Sequence, residues 1–420
     1  MFKFSIVKII IVEVCLIEAV SKQPLLGIVR NTKIGVFMEP FSEITTSDWW
    51  KSSIEKFTET IKFSEQRHTL ILYNADVDGF VASYFIYKLI ILLTKPNDRK
   101  ILTKAVWNYE FDFAWLSKYV ESRNVDNIIC LDIPIIQELV ILNKIARKHK
   151  IAIYDHHIVQ NRYSTEFENI LYINSRLLDT NRINHPTSAF AAAFAHESSQ
   201  LSMSEYILAA IGLFGDHALY HYPSLIRMLQ QKYSEFFDTS DIWNSKIGVY
   251  TSKLNSLFRA YPSQTPSKIH KDVHSLFHTN NPIDALDKLV SMYEIEKAQR
   301  LVQEDVKRAI NEFKSIHIEK VLCEVVKMTT FSVGIVSTLI SREKTDSIIA
   351  LGFISGSRIQ FELRTSDKNE FDLVQILTLQ RQYFQPLTSG GHPKAAGALI
   401  KSKDLNDFQI SFKKAFNELY

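Results

Sequence analysis

Three short apolar runs in this chain are each followed, within three positions, by an acidic residue, and that repetition restricts the fold more than any other feature. Leu70-Ile71-Leu72-Tyr73 leads to Asp76-Val77-Asp78-Gly79, Ile128-Ile129-Cys130-Leu131 ends at Asp132, and Ile151-Ala152-Ile153-Tyr154 ends at Asp155-His156-His157. Apolar runs of this length, set between longer helical stretches, read as strands of a parallel sheet, whose neighbours must be joined by crossovers. Such a sheet delivers the ends of its strands to one edge. Carboxylates gathered there repel one another, and a pair of divalent metals is the simplest physical reason to assemble them with imidazole.

The alternation extends over residues 68–222. Strands are expected at 69–73, 101–107, 127–131, 151–154 and 169–173, with helices at 79–93, 112–121, 135–148, 187–197 and 203–214. The fold class is therefore α/β, a mostly parallel, doubly wound sheet with helices on both faces. Residues 1–67 form an N-terminal leader that ends in an aromatic stretch through Trp49, Trp50 and Phe57. Residues 223–320 are polar and helical, broken by Pro262, Pro266 and Pro282, and read as a helical connector. Cations recur there (Arg227, Lys232, Lys246, Lys253, Arg259, Lys268, Lys271) among acidic residues, which fits a solvated face or a nucleic-acid face. From 321 to 420 a second, smaller α/β domain follows. Strands are expected at 321–326, 331–337, 347–353 and 358–363 and a helix at 372–380. A glycine turn Ser389-Gly390-Gly391-His392 comes next, then Ala395-Ala396-Gly397 with an apolar run to Ile400, and an amphipathic helix over 404–418.

Composition narrows the function classes. The chain has 420 residues, 46% hydrophobic and 23% charged, an ordinary globular balance. A net charge of +3 leaves room for a local basic groove but not for a chain-wide nucleic-acid footprint. Cys15, Cys130 and Cys323 are far apart and lack CxxC spacing, which argues against a disulfide framework or zinc site and for a reducing, cytoplasmic location. The N-terminus imitates a signal peptide, but Lys8, Glu13 and Glu18 interrupt its apolar run. No later segment reaches about 18 uninterrupted apolar residues, so no membrane is expected as a partner.

Each constellation has a plainer reading. Asp76 and Asp78 can converge on one cation, or serve as a helix N-cap followed by a turn glycine. Asp132 alone is a cap. Adjacent His156 and His157 can point to different sides, one to a metal and one to a phosphate oxygen, or lie in a surface loop. Asp216 ends a helix in Gly215-Asp216-His217 and adds a further carboxylate. Gly390 and Gly391 let backbone N–H groups approach an anion, with His392 beside them. Arg364 offers a phosphate fork or a surface ion pair.

Taken together and in this order, these segments resemble the DHH phosphoesterase superfamily with its DHH-associated C-terminal domain. Asp76 and Asp78 match the family's first motif, Asp132 the second, Asp155-His156-His157 the third and Asp216 the fourth. Ser389-Gly390-Gly391-His392 through Ala395-Ala396-Gly397 matches the glycine-rich motif, with Ser389 replacing its first glycine. The resemblance spans residues 68–222 and 321–420. It implies a two-domain hydrolase in which Asp76, Asp78, Asp132, His156 and Asp216 bind two Mn2+ ions, or Mg2+, with Asp132 as the bridge. It also implies that Asp155 holds His156 from behind, that His157 contacts phosphate, and that Arg364, Gly390, Gly391 and His392 grip phosphate or nucleotide. One departure stands out: many members carry His or Asp two positions before the Asp-x-Asp pair, where this chain has Asn74, a weaker neutral ligand.

The implied substrate is single-stranded DNA or RNA cleaved from an end, as by a RecJ-like exonuclease, with Lys104, Trp107, Tyr109 and Phe111 as a stacking and charge segment or as core. The alternatives are an oligoribonuclease or adenosine bisphosphate phosphatase acting on short nucleotides, and a catalytically weakened scaffold that works with replication or repair proteins. Nothing in the sequence sets the oligomeric state.

Overall fold

The computed structural model describes residues 39–64, 68–93, 100–107, 113–157, 169–178, 185–199, 201–237, 245–260, 272–277, 280–292, 294–314, 320–366, 368–386 and 388–420. The signal-like N-terminus, Cys15, Tyr109, Phe111, Lys268 and Lys271 lie outside these residues, as does the side chain of His392. The chain divides into two compact units. Among the described residues the first comprises 39–258 and 272–292, and the second 259–260 and 294–420.

The first unit is built on α1 (Trp50–Ser64), β1 (Thr69–Asn74), α2 (Val77–Leu93), β2 (Ile101–Val106), α3 (Phe113–Ser122), β3 (Asn127–Leu131), α4 (Leu139–Ala146), β4 (Lys150–Asp155), β5 (Ile170–Asn174), α5 (Thr187–Ser198) and α6 (Met203–Gly215). Its five-stranded sheet has the order β2-β1-β3-β4-β5, and every neighbouring pair is parallel. All residues of β1 and β3 are buried, as a parallel sheet covered on both faces requires. Leu70, Leu72, Ile128, Cys130, Ile151 and Ile153 pack under Leu116 and Val120 of α3 and Leu142 and Ile145 of α4. The alternate residues turn to the other face, where Tyr154 meets Phe57 of α1 and Phe194 of α5. The expected leader is thus partly core, since α1 stacks Trp50 and Phe57 on Phe194. Because β2 lies to one side of β1 and β3 to the other, the strand order reverses between β1 and β3. Ligands of open α/β sheets bind at the strand ends beside such a reversal.

Helices α7 (Pro223–Lys232), α8 (Lys246–Ala260), α9 (Pro282–Met292) and α10 (Ile295–Lys314) follow. The second unit then carries β6 (Val321–Val326), α11 (Val333–Glu343), β7 (Ile348–Ser355), β8 (Arg358–Thr365), α12 (Leu373–Gln380), β9 (Thr388–His392), β10 (Ala395–Lys401) and α13 (Leu405–Leu419). Its mixed sheet has the order β6-β7-β8-β10-β9, with β6 and β7 parallel and the remaining pairs antiparallel.

Two expectations are corrected here. Residues 331–337 were expected as a strand, yet they begin α11. Asp305 on α10 accepts the N–H groups of Thr329 at 2.7 Å and Thr330 at 2.6 Å, which turns the chain before an extended run can start. Val333, Val336, Ser337 and Ile340 then share one buried helical face. Gly390 and Gly391 were expected in a turn, yet they lie inside β9, paired with Gly397 and Ala396, and the turn falls at Pro393-Lys394. Gly391 has φ +142°, and a Cβ there would sit 2.5 Å from Ala396 Cα, so only glycine fits this close strand approach.

Candidate metal centre

The parallel register carries each strand's last residue to the same edge. Tyr73, Leu131, Tyr154 and Ile173 form one cross-strand row, and the next positions are Asn74, Asp132, Asp155 and Asn174. Beyond β1 only Ala75 and Asp76 precede α2. A Cβ on Gly79 would lie 2.4 Å from the Asn74 carbonyl oxygen, so glycine lets α2 start hard against the strand end. This close approach keeps Asp76 and Asp78 beside Asp132. Asp132 itself has φ +58°, a left-handed residue that ends β3, and its N–H is held by the Tyr154 carbonyl at 2.9 Å.

His156 sits among the carboxylates. Its Nε2 is 3.1 Å from Asp132 Oδ1 and 3.9 Å from Asp78 Oδ2, and its Nδ1 is 3.6 Å from Asp216 Oδ2. Asp216 reaches the site from the C-terminal cap of α6. Asn74 Nδ2 donates to Asp132 Oδ2 at 3.1 Å and also to Asp76. Asp132, His156 and His157 each place a ligand atom within 4.8 Å of the others. Asp78 has a second duty. Its carboxylate accepts the N–H groups of Thr187 and Ser188, each at 3.0 Å, and the Ser188 hydroxyl, and so caps α5.

Asp155 differs from expectation. Its Oδ1 accepts the His157 ring Nδ1 at 2.7 Å but meets only the backbone N–H of His156, at 2.9 Å. The carboxylate therefore fixes the His157 ring, because the turn after β4 swings His157 back over Asp155 and sends His156 across to Asp132.

The charges in the cluster oppose one another. Burial, with the nearby Asp216, raises the Asp78 carboxyl to about 7 against the opposing pull of His156. Burial, with the neighbouring Asp76 and Asp78, drives Asp132 well above the usual carboxylate range, and burial likewise raises Asp76. Burial alone would lower His157, but the Asp155 carboxylate beside it wins and lifts it to about 9. In turn His157 holds Asp155 below its ordinary value against the push of burial. Buried oxygen donors that repel one another, with one imidazole among them, fit a hard or borderline divalent cation. Asp78, Asp132, His156 and Asp216 would hold one ion, and Asn74, Asp76 and Asp132 a second.

A pH dependence follows. Asp78 and His157 both bind their protons more tightly in the folded state. Stability falls as pH rises from the carboxylate range to about 7 through Asp78, and is lost between about 6.5 and 9 through His157. The metal-free protein is expected to melt at a lower temperature at about pH 9 than at about pH 6, and saturating Mn2+ to flatten that slope by displacing the protons. Thermal melts with and without metal test this. A metal-free melting temperature that climbs across the window contradicts the charge crowding.

No protein-family model and no curated protein matches the chain. Solved structures do. Exonuclease RecJ bound to manganese superposes with a TM-score of 0.61 at 14% identity, covering 86% of this chain and 94% of that one. The DHH domain of a member of a family of ribosomal proteins gives 0.62 at 15%, covering 91% and 93%. CDC45 from Entamoeba histolytica gives 0.50 at 11%, covering 87% and 99%. The chain has the RecJ fold. The resemblance drawn from the motifs thus holds for the architecture.

Within the RecJ fold, the second unit places Arg364 of β8, Ala395 of β10 and residue 392 of β9 in one cross-strand row, with Gly390 opposite Gly397. The Arg364 guanidinium donates to the Leu363 carbonyl at 2.8 Å and pairs with Glu362 at 3.1 Å, so the plainer ion-pair reading describes it in this state. Sequence reasoning passed over Asn174 and Arg176, which follow the apolar part of β5, and Thr187 and Ser188, which anchor Asp78. The signal for Asn174 was present as a fourth apolar run, Ile170-Leu171-Tyr172-Ile173, closed by a polar residue.

Proposed function

We propose that this chain is a metal-dependent phosphoesterase that hydrolyses phosphodiester bonds of single-stranded nucleic acid from an end. The observation that carries the reading is the convergence of Asp76, Asp78, Asp132, His156 and Asp216, remote in sequence, on one edge of the parallel sheet. Divalent ions held there, Mn2+ or Mg2+, supply Lewis-acid charge that lowers the pKa of a bound water and offsets charge on phosphoryl oxygens. The chain's own residues do the rest. Asp132 lies between the two donor groups, and the His156 ring is held among three carboxylates. His157, kept protonated near neutrality by Asp155, offers a charged donor to a phosphate oxygen. Burial of Asp78 and Asp132 excludes bulk water and strengthens each of these interactions.

Trp107 favours a second reading. It is 5% exposed, so it belongs to the core and offers no platform for a stacked base. Lys104, the cation of the same segment, lies 5.8 Å from the Trp115 ring. A hydrolase of short oligonucleotides or adenosine bisphosphate needs no such platform. An assay with Mn2+ comparing a long single strand, a dinucleotide and adenosine bisphosphate decides. Processive, steeply salt-sensitive loss of the long strand supports the exonuclease. Preference for the short substrates supports the second reading. Absence of turnover on all three, with weak metal binding, leaves a scaffold and ends the enzymatic proposal.

A further inference from the structure

We propose that Arg176 grips a phosphate group of the substrate beside the carboxylate–histidine cluster, and that Asn174 is the residue that positions it. The inference deepens the phosphoesterase reading and rests on it for the identity of the anion.

The geometry begins at β5. Asn174 is its last residue and pairs with Asp155 across the sheet. The Asn174 side chain ties two segments together: Nδ2 donates to the His157 carbonyl at 2.9 Å, and Oδ1 accepts the Arg176 N–H at 3.0 Å. A third contact, from Nδ2 to the Tyr172 hydroxyl at 3.0 Å, fixes the amide from below. Residue 176 is thereby held beside His157, at the edge that carries the acidic cluster.

Its side chain has no evident duty within the fold. Arg176 is partly buried, and its Nε is cut off from solvent with no hydrogen-bond partner among the described residues. Asp216 and Asp155 act on it electrostatically. Neither forms an ion pair with it among the described residues: Asp155 Oδ1 is taken by His157, and Asp216 faces His156. A guanidinium carries five donors and stays charged, and burying part of it without an acceptor costs free energy. The acceptor that suits its planar fork is an oxyanion with two free oxygens, as a phosphate provides. With the His157 ring on the segment that Asn174 ties to residue 176, such an anion would be met by two cations.

Inorganic phosphate is the probe, titrated into the full chain with Mg2+ present. Arg176→Gln is expected to weaken phosphate binding roughly tenfold or more, and Arg176→Lys to recover part of the loss, because lysine keeps the charge but not the fork. Asn174→Ala is expected to follow Arg176→Gln. Mn2+ binding, followed by electron paramagnetic resonance, should stay equal or become tighter in all three, which a general collapse of the site would not allow. Should Arg176→Gln fail to fold, Arg176→Lys carries the comparison. Phosphate affinity equal to the parent's in the folded arginine variants overturns the assignment, as does a parent that binds no phosphate. Weakened phosphate binding in a protein that hydrolyses no phosphoester supports the Arg176 assignment and ends the proposed activity, so the two failures are distinguishable.

Discussion

Changing Asp132 to asparagine should abolish turnover while making the metal-free protein harder to melt. Asp132 is 1% exposed, and burial together with Asp76 and Asp78 holds its carboxyl well above the ordinary range. Its ionised form is therefore a burden on the metal-free protein and an asset only when cations are present. Asparagine has the same shape and tolerates the φ of +58° found at this position, so the backbone has no reason to move. Its oxygen can still accept from Asn74 while its amide faces the His156 ring. The expected loss of turnover is roughly a thousandfold or more, the scale seen when a group that stabilises transition-state charge is removed. The expected gain in metal-free stability is about 1 kcal/mol, or about 2–4 °C in melting temperature for a unit of this size. Melts without metal and a Mn2+ titration read both effects. A variant that keeps its turnover, or melts lower without metal, would show that Asp132 is not the ligand shared between two ions.

That the strand-end carboxylates lie together was legible in the sequence, and the reason is geometric. A parallel sheet maps "last residue of a strand" onto "same edge", so Asp132 and Asp155 needed only strand boundaries to be placed, and the helix-end Asp216 joined them as a motif. What the sequence did not show is which atom meets which. His156 and His157 are adjacent, and the turn after β4 decides which ring Asp155 receives. The cap that Asp78 provides to α5 joins residues 110 positions apart, which no local pattern records. The first residues of α11 carry β-branched side chains typical of a strand, and it is Asp305, on another helix, that commits them to a helical turn. Gly391 is readable as a residue that must be glycine, but not as one inside a strand. In each case the missing information is a long-range contact, and in each the local signal was satisfied by more than one backbone.

Replacing Asn74 with aspartate should move the Mn2+ dependence of activity to lower concentration and, in the same protein, lower the metal-free melting temperature. Asn74 is buried, and its Nδ2 donates to both Asp76 and Asp132. Without metal the amide thus acts as a neutral clamp between two carboxylates that burial has already raised. An aspartate there removes both donated hydrogen bonds and adds a third acceptor to the group, at a cost of roughly 2 kcal/mol or more, since hydrogen bonds to charged groups are worth about 1.5–3 kcal/mol each. With metal present the sign reverses. The pair Asp76 and Asp132 gains an anionic third ligand in place of a neutral oxygen, and ligand charge is a main determinant of affinity for hard cations, so about a tenfold tighter second ion is expected. Electron paramagnetic resonance of Mn2+ should then count two bound ions at a concentration where the parent holds one. The melting temperature with Mn2+ should exceed the metal-free value by more in the variant than in the parent. If the titrations of variant and parent overlay while the metal-free melting temperature still drops, Asn74 is a clamp and nothing more, and the second ion has to be sought away from Asp76.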